Sequence, residues 1–218
     1  MKSRNTILGI CLILLSSCVV KSLHPFYTKE TISFDQSFIG DWQDSKKGKW
    51  KVISFESEIT KDNPVEKMKK EDLKIYNEYK NSYYILREYK DQEVIFIATP
   101  FTINNQKFLD FFPLDHQDGV DNLLQSHSIY THSLVKYDVQ KNGEIEIRWL
   151  DEDKVQTLFK EHKIKIKHET IGILNENYLL TASSKELQKF IEKYMASNDA
   201  EKWETSTKFT LTKVNATN

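Results

Sequence analysis

Asn142-Gly143 is the strongest turn signal in the chain, and the residues around it set the architecture. Asn-Gly flanked by alternating apolar residues is a strong hairpin signal. Glu144 to Leu150 then alternates, with Ile145, Ile147 and Trp149 on one side and Glu144, Glu146 and Arg148 on the other. Period-two alternation predicts a half-buried strand. Ser128 to Gln140, carrying Leu134, Tyr137 and Val139, is its expected hairpin partner.

The same grammar runs along the rest of the chain. Gly48 marks a turn between Lys46 and Lys49, and Trp50 to Phe55 reads as a strand. Ser82 to Tyr89, Glu93 to Thr102 and Lys107 to Phe112 follow as strands, separated by turns at Asp91-Gln92 and Asn104-Asn105. Pro100 predicts an edge or a bend, because proline cannot donate to the ladder. Ile164 and Ile166 start a further strand, Tyr178 to Ala182 is short, and Phe209 and Leu211 alternate with threonines in the last.

Three helices are expected. Asn63-Pro64 starts one whose stripe is Val65, Met68, Leu73, Tyr76 and Tyr79, covering a sheet edge or barrel mouth. Asp151 to His162 is the second, with acidic residues at the end where the helix dipole favours them. Ser183 and Glu186 form a capping box ahead of Leu187, Phe190, Ile191 and Tyr194. Roughly eight to ten antiparallel strands usually close or stack to hide their edges. The expected fold is mainly β, an antiparallel meander closing into a barrel or half-open barrel with these three helices.

The N-terminus carries a different message. Lys2 and Arg4 precede an apolar run of about ten residues, short of the roughly 20 that a membrane-spanning helix needs. It has the size of a signal-peptide core. Leu15-Ser16-Ser17-Cys18 resembles the bacterial lipobox. That resemblance implies cleavage before Cys18, diacylglyceryl attachment to its thiol and acylation of the new amino group. Cys18 is then the lipidation site, and the membrane is a partner through that anchor. Val19 and Val20 follow, with no Asp at the position that in some bacteria retains lipoproteins at the inner membrane, so an outer-membrane location is implied. The expected organisation is a signal peptide over 1–17, lipidated Cys18 and tether over 18–32, one β-rich domain over 33–214 and a polar tail over 215–218. His24-Pro25 favours extended backbone in the tether; the alternative is that Leu23, Phe26 and Tyr27 pack on the domain and shorten it.

Gly40-Asp41-Trp42 resembles the G-x-W signature of lipocalin and calycin barrels, in which the tryptophan closes one end. Together with Phe108–Pro113, Trp149–Asp153 and Leu180–Leu187, it makes the chain similar to a group of uncharacterised bacterial lipoproteins. In that pattern the Lys61 to Asn81 helix is an insertion. The resemblance implies architecture and anchor, and supplies no catalytic residue.

Composition narrows the partners. Lys plus Arg number 31 and Asp plus Glu 32, so no basic field exists to neutralise phosphates, and nucleic acid is not an expected partner. The two cysteines, Cys11 and Cys18, leave the mature body without a disulfide. Its stability must come from packing, which 12 Phe, 10 Tyr and 4 Trp can supply.

No catalytic residue, metal or cofactor is assigned from the sequence. The hydrolase signatures G-x-S-x-G and H-E-x-x-H are missing, and S-x-x-K does not start from Ser183 or Ser184. His116, His127 and His132 lie near Asp115, Asp118 and Asp121, but their spacing does not gather ligands on one strand or helix face. Asp110 alternates with Leu109 and Phe111 and is expected to face solvent. An apolar or amphipathic small ligand, or an envelope protein partner, is the expected binding target of a non-enzymatic domain; the alternatives are a structural or accessory subunit of an envelope complex and a hydrolase without a recognisable signature. The lumen candidates are Trp42, Trp50, Phe96, Phe111, Trp149 and His168; all but His168 become core if the barrel is filled by its own side chains.

Overall fold

The computed structural model describes residues 19–114, 129–172 and 177–214. Cys18 and the leader, His116 and His127, the acidic residues around them and the 215–218 tail lie outside the described residues.

The strands are β1 (Lys21–Ser22), β2 (Gly40–Asp44), β3 (Lys49–Ser54), β4 (Tyr83–Tyr89), β5 (Gln92–Ile103), β6 (Gln106–Leu114), β7 (His132–Val139), β8 (Ile145–Trp149), β9 (His168–Ile171), β10 (Asn177–Leu180) and β11 (Lys208–Lys213). Eight of them, β2 to β8 with β11, form a closed antiparallel barrel, because β6 pairs with β7 and β11 joins β8 to β2. β1 extends the sheet beside the first residues of β7 and carries β10 and β9 with it. The fold is thus mainly β, a meander closed into a barrel.

Alternation does what the sequence pattern requires. Ile145, Ile147 and Trp149 point into the barrel, as do Trp50 and Val52 on β3 and Tyr83 and Ile85 on β4, all in one buried cluster. The run Val94 to Ala98 is almost continuously apolar because both faces of β5 are covered. Phe96 and Ala98 belong to the lumen cluster, and Phe101 and Ile103 belong to an outer one.

Among the described residues four helices accompany the sheet: α1 (Phe55–Thr60), α2 (Lys70–Tyr79), α3 (Glu152–Lys160) and α4 (Ser184–Ala196). The strand expected to reach Phe55 stops one residue earlier, because the Ser54 hydroxyl accepts the Ser57 N–H at 3.0 Å and caps α1. Asn63-Pro64 starts only a 3-10 turn, Val65–Lys67, and α2 begins at Lys70 with no buried residue. The strand expected from Ile164 begins at His168. The capping box at Ser183 is present, and Leu187, Phe190, Ile191 and Tyr194 seat α4 in the outer cluster with Phe101 and Phe108.

The segment expected as a tether belongs to the body. Val19 bridges to Asp151, the Val20 N–H donates to the Leu150 carbonyl at 3.2 Å, and the Leu23 N–H donates to that of Leu180 at 2.9 Å. Phe26 and Tyr27 are buried, Ile32 bridges to Phe101, and Leu23 stays exposed.

Asp110 also departs from expectation. Its side chain points away from the lumen, as alternation requires, but the N-terminal segment covers that face and leaves the residue 1% exposed. One carboxylate oxygen accepts the Phe26 N–H at 2.7 Å, and the other is 2.6 Å from His132 Nδ1. Asp110→Ala strands both partners in a buried site and should cost about 2–4 kcal/mol. Urea unfolding measures the loss, and faster hydrogen exchange over 19–32 should accompany it.

Candidate functional site at the open end of the barrel

Each end of the barrel has its own chemistry. Connections alternate between ends in a meander, so the β3–β4, β5–β6 and β7–β8 connections share one end and the β2–β3 and β4–β5 turns the other.

The first end is plugged. A 3-10 turn, Gln36–Phe38, inserts Phe38 against the rings of Tyr83, Tyr137 and Trp42 at 5.1, 5.6 and 6.1 Å. Asp35 anchors the turn: it accepts from the Ser37 N–H at 3.0 Å, Lys107 Nζ at 2.6 Å and the Tyr137 hydroxyl at 3.0 Å. Burial works against its charge, but these donors outweigh it and hold the carboxyl well below the usual range. Burial pushes the Tyr83 and Tyr137 hydroxyls up, so both stay protonated. Trp42 closes this end, its indole N–H donating to the Phe38 carbonyl at 2.9 Å while Lys213 Nζ lies 5.3 Å from its ring. Gly40 sits at φ +138, and a Cβ there would come 3.2 Å from Lys213 Cε, so both backbone and space favour glycine.

Toward the other end, which has no such plug among the described residues and is called the open end for that reason, the lumen is crossed by four rings in a closed circuit. Trp50 meets Phe111 at 6.4 Å, Phe111 meets Trp149 at 5.1 Å, Trp149 meets Phe209 at 5.9 Å, and Phe209 returns to Trp50 at 5.9 Å. Phe96 leans on Phe111 at 5.4 Å.

An ion pair lies over this circuit. Asp44 Oδ2 accepts from Arg87 Nη2 at 2.8 Å, Arg87 Nε at 3.0 Å and Trp50 Nε1 at 2.8 Å. Asp44 Oδ1 accepts the N–H groups of Lys46 and Gly48 at 2.9 and 2.7 Å. Burial raises the Asp44 carboxyl, and the bonds from Trp50, Gly48 and Arg87 more than reverse that and lower it. The guanidinium lies 5.6 Å from the Trp50 ring centre and 5.1 Å from that of Phe209. Gly48 is required by space, since a Cβ there would meet Asp44 Oδ2 at 2.5 Å.

Five of the six lumen candidates therefore line the barrel. Trp42, Trp50, Phe111 and Trp149 are 3, 2, 1 and 8% exposed and are spent on packing against each other and their neighbours. Phe96 is partly buried at the open end. His168 is elsewhere: it lies on β9 outside the barrel, 3.9 Å from the Phe159 ring and 5.2 Å from that of Tyr178, with Nδ1 2.8 Å from the Ile166 carbonyl. His132 is engaged by Asp110, and among the described residues no group of three or more His, Cys, Asp or Glu is placed to hold a metal.

The sequence reading missed Asp35, Asp44, Arg87 and Phe209. Arg87 was within reach, because it alternates with Tyr83 and Ile85 and so faces inward. Two grooves among the described residues lie on the outer wall. One of about 370 Å³ is bordered by Lys49, Lys51, Leu86 and Glu88; one of about 340 Å³, at the plugged end, by Phe34, Ile53, Glu56 and Lys80. The chain matches no protein-family model, no curated protein and no solved structure.

Two predictions follow from the carboxylates. Asp44→Ala leaves Arg87, the Trp50 N–H and two backbone N–H groups without their acceptor and should cost about 3–5 kcal/mol in denaturant unfolding. Asp35 and Asp44 both have folded-state values below the unfolded ~3.9. Their contribution is complete above that value and is lost as pH falls through the folded values. Tm should fall steeply below about pH 4, and less steeply in Asp35→Asn, where one of these carboxylates no longer titrates.

Proposed function

We propose that the protein is a lipid-anchored component of a bacterial cell envelope. Cys18 carries the anchor, and the barrel is a rigid body that meets an envelope protein partner through its outer surface. The observation that carries the partner reading is the filled lumen. From the Phe38 plug through the four-ring circuit to the Asp44–Arg87 pair, the described side chains occupy the interior and satisfy one another. An eight-stranded barrel is just wide enough for such filling or for one small ligand, and here the rings take the space.

The anchor rests on the first eighteen residues, which have the order of charge, apolar core, small residues and cysteine that a lipoprotein signal needs. Among the described residues no helix is long and apolar enough to cross a membrane.

A second reading is favoured by Phe96 and Phe209. Both are only partly buried at the open end, and Lys46 Nζ lies 4.8 Å from the Phe209 ring. An apolar chain against the rings with an anionic head at Lys46 would fit an amphipathic small ligand there.

Cys18→Ser should move the protein out of the membrane fraction or leave it as uncleaved precursor. Unchanged attachment with normal leader cleavage contradicts the anchor. Photo-crosslinkers placed on the outer wall of the membrane-bound wild type should capture one defined envelope protein. Adducts to no protein from any outer position contradict the partner reading.

A further inference from the structure

We propose that the barrel has no spacer between anchor and body and lies with its open end against the bilayer. This rests on the Cys18 anchor proposed above. Consecutive Cα atoms are ~3.8 Å apart, so a lipid on Cys18 is one peptide unit from a residue already in the fold. Val19 bridges to Asp151, two residues past Trp149 at the open end of β8, and packs against the lumen cluster. A domain held that closely cannot stand off the membrane.

The surface at this end suits the contact. Ser22 pairs with His132, so Leu23 leaves the sheet level with the residues that precede β7. Ile129, Tyr130 and Leu23 are 73, 38 and 42% exposed, an apolar and aromatic group of the kind that enters a membrane interface. The turns at this end carry lysine where the backbone disfavours it. Lys47 and Lys90 have φ of 70 and 49, beside exposed Lys46. At the plugged end the left-handed positions are filled by Asn104, Asn105 and Gly143, which accept that conformation readily. Lysine gains nothing from such backbone. Its ammonium gains from anionic headgroups, and among the described residues of these two turns Asp91 opposes it.

The test uses the mature lipidated protein in vesicles of phosphatidylethanolamine and phosphatidylglycerol. Exposed positions accept an environment-sensitive fluorophore without disturbing the core: Ile129→Cys and Lys90→Cys at the open end, Asn105→Cys and Val139→Cys at the plugged end. The first pair should shift to the blue and be quenched by bilayer-embedded nitroxides, and the second pair should not. If the protein floats with the vesicles but all four labels report water, the docking proposal is overturned and the anchor stands. If labels at both ends respond alike, the orientation is overturned. Failure to float overturns anchor and docking together.

Discussion

The body depends on the seam where β6 and β7 close the barrel. Phe108 to Phe111 pair with Lys136 to Ser133 there, and this closure decides which side chains share a lumen. Asp110 sits over the seam from outside. Its two oxygens engage β7 through His132 and the N-terminal segment through the Phe26 N–H. One buried carboxylate therefore links the strand that ends the meander's first half, the strand that begins its second, and the chain that leads from Cys18. Buried polar groups of this kind are cheap only when every bond is made, which ties the packing of the N-terminal segment to closure of the barrel.

The lumen shows how a small barrel is stabilised without a disulfide. Rings 5.1 to 6.4 Å apart, plugged by Phe38 and roofed by the Asp44–Arg87 pair, give close packing over the barrel's length. Close packing makes the body rigid and makes single cavities costly. It also shapes function. Side chains committed to one another leave the outer surface, the two ends and the α1–α2 arm as places to meet other molecules. α2 buries none of its residues and exposes Leu73 and Ile75 at the plugged end, away from the proposed membrane contact.

Much of this was legible in local pattern. Alternation in β8 placed Ile145, Ile147 and Trp149 inside and Glu144, Glu146 and Arg148 outside, and the turn residues marked most hairpins. What stayed hidden was non-local. Alternation placed Asp110 outward correctly but could not say what covers that face. Val19 to Thr31 has no periodicity because its partners, Ser133, Asp151 and Leu179, are over a hundred residues away. Ser54 capped a helix where Phe55 extended a strand pattern, a competition that one serine decides. His168 alternates with Ile166 as a lumen residue would, yet its strand lies on the sheet's extension outside the barrel. For the site, aromatic content pointed to the lumen, while the polar pairs that organise its ends, Asp35 with Tyr137 and Asp44 with Arg87, needed the folded register to appear.

The described side chains fill the barrel, and the proposed function places its work on the outer surface. Native mass spectrometry of the mature protein, extracted from its host in mild detergent, tests it most directly. The expected spectrum contains the acylated polypeptide, alone or with a protein partner. A stoichiometric small molecule that stays bound through gentle activation, and whose removal changes Trp50 or Trp149 fluorescence, would contradict it.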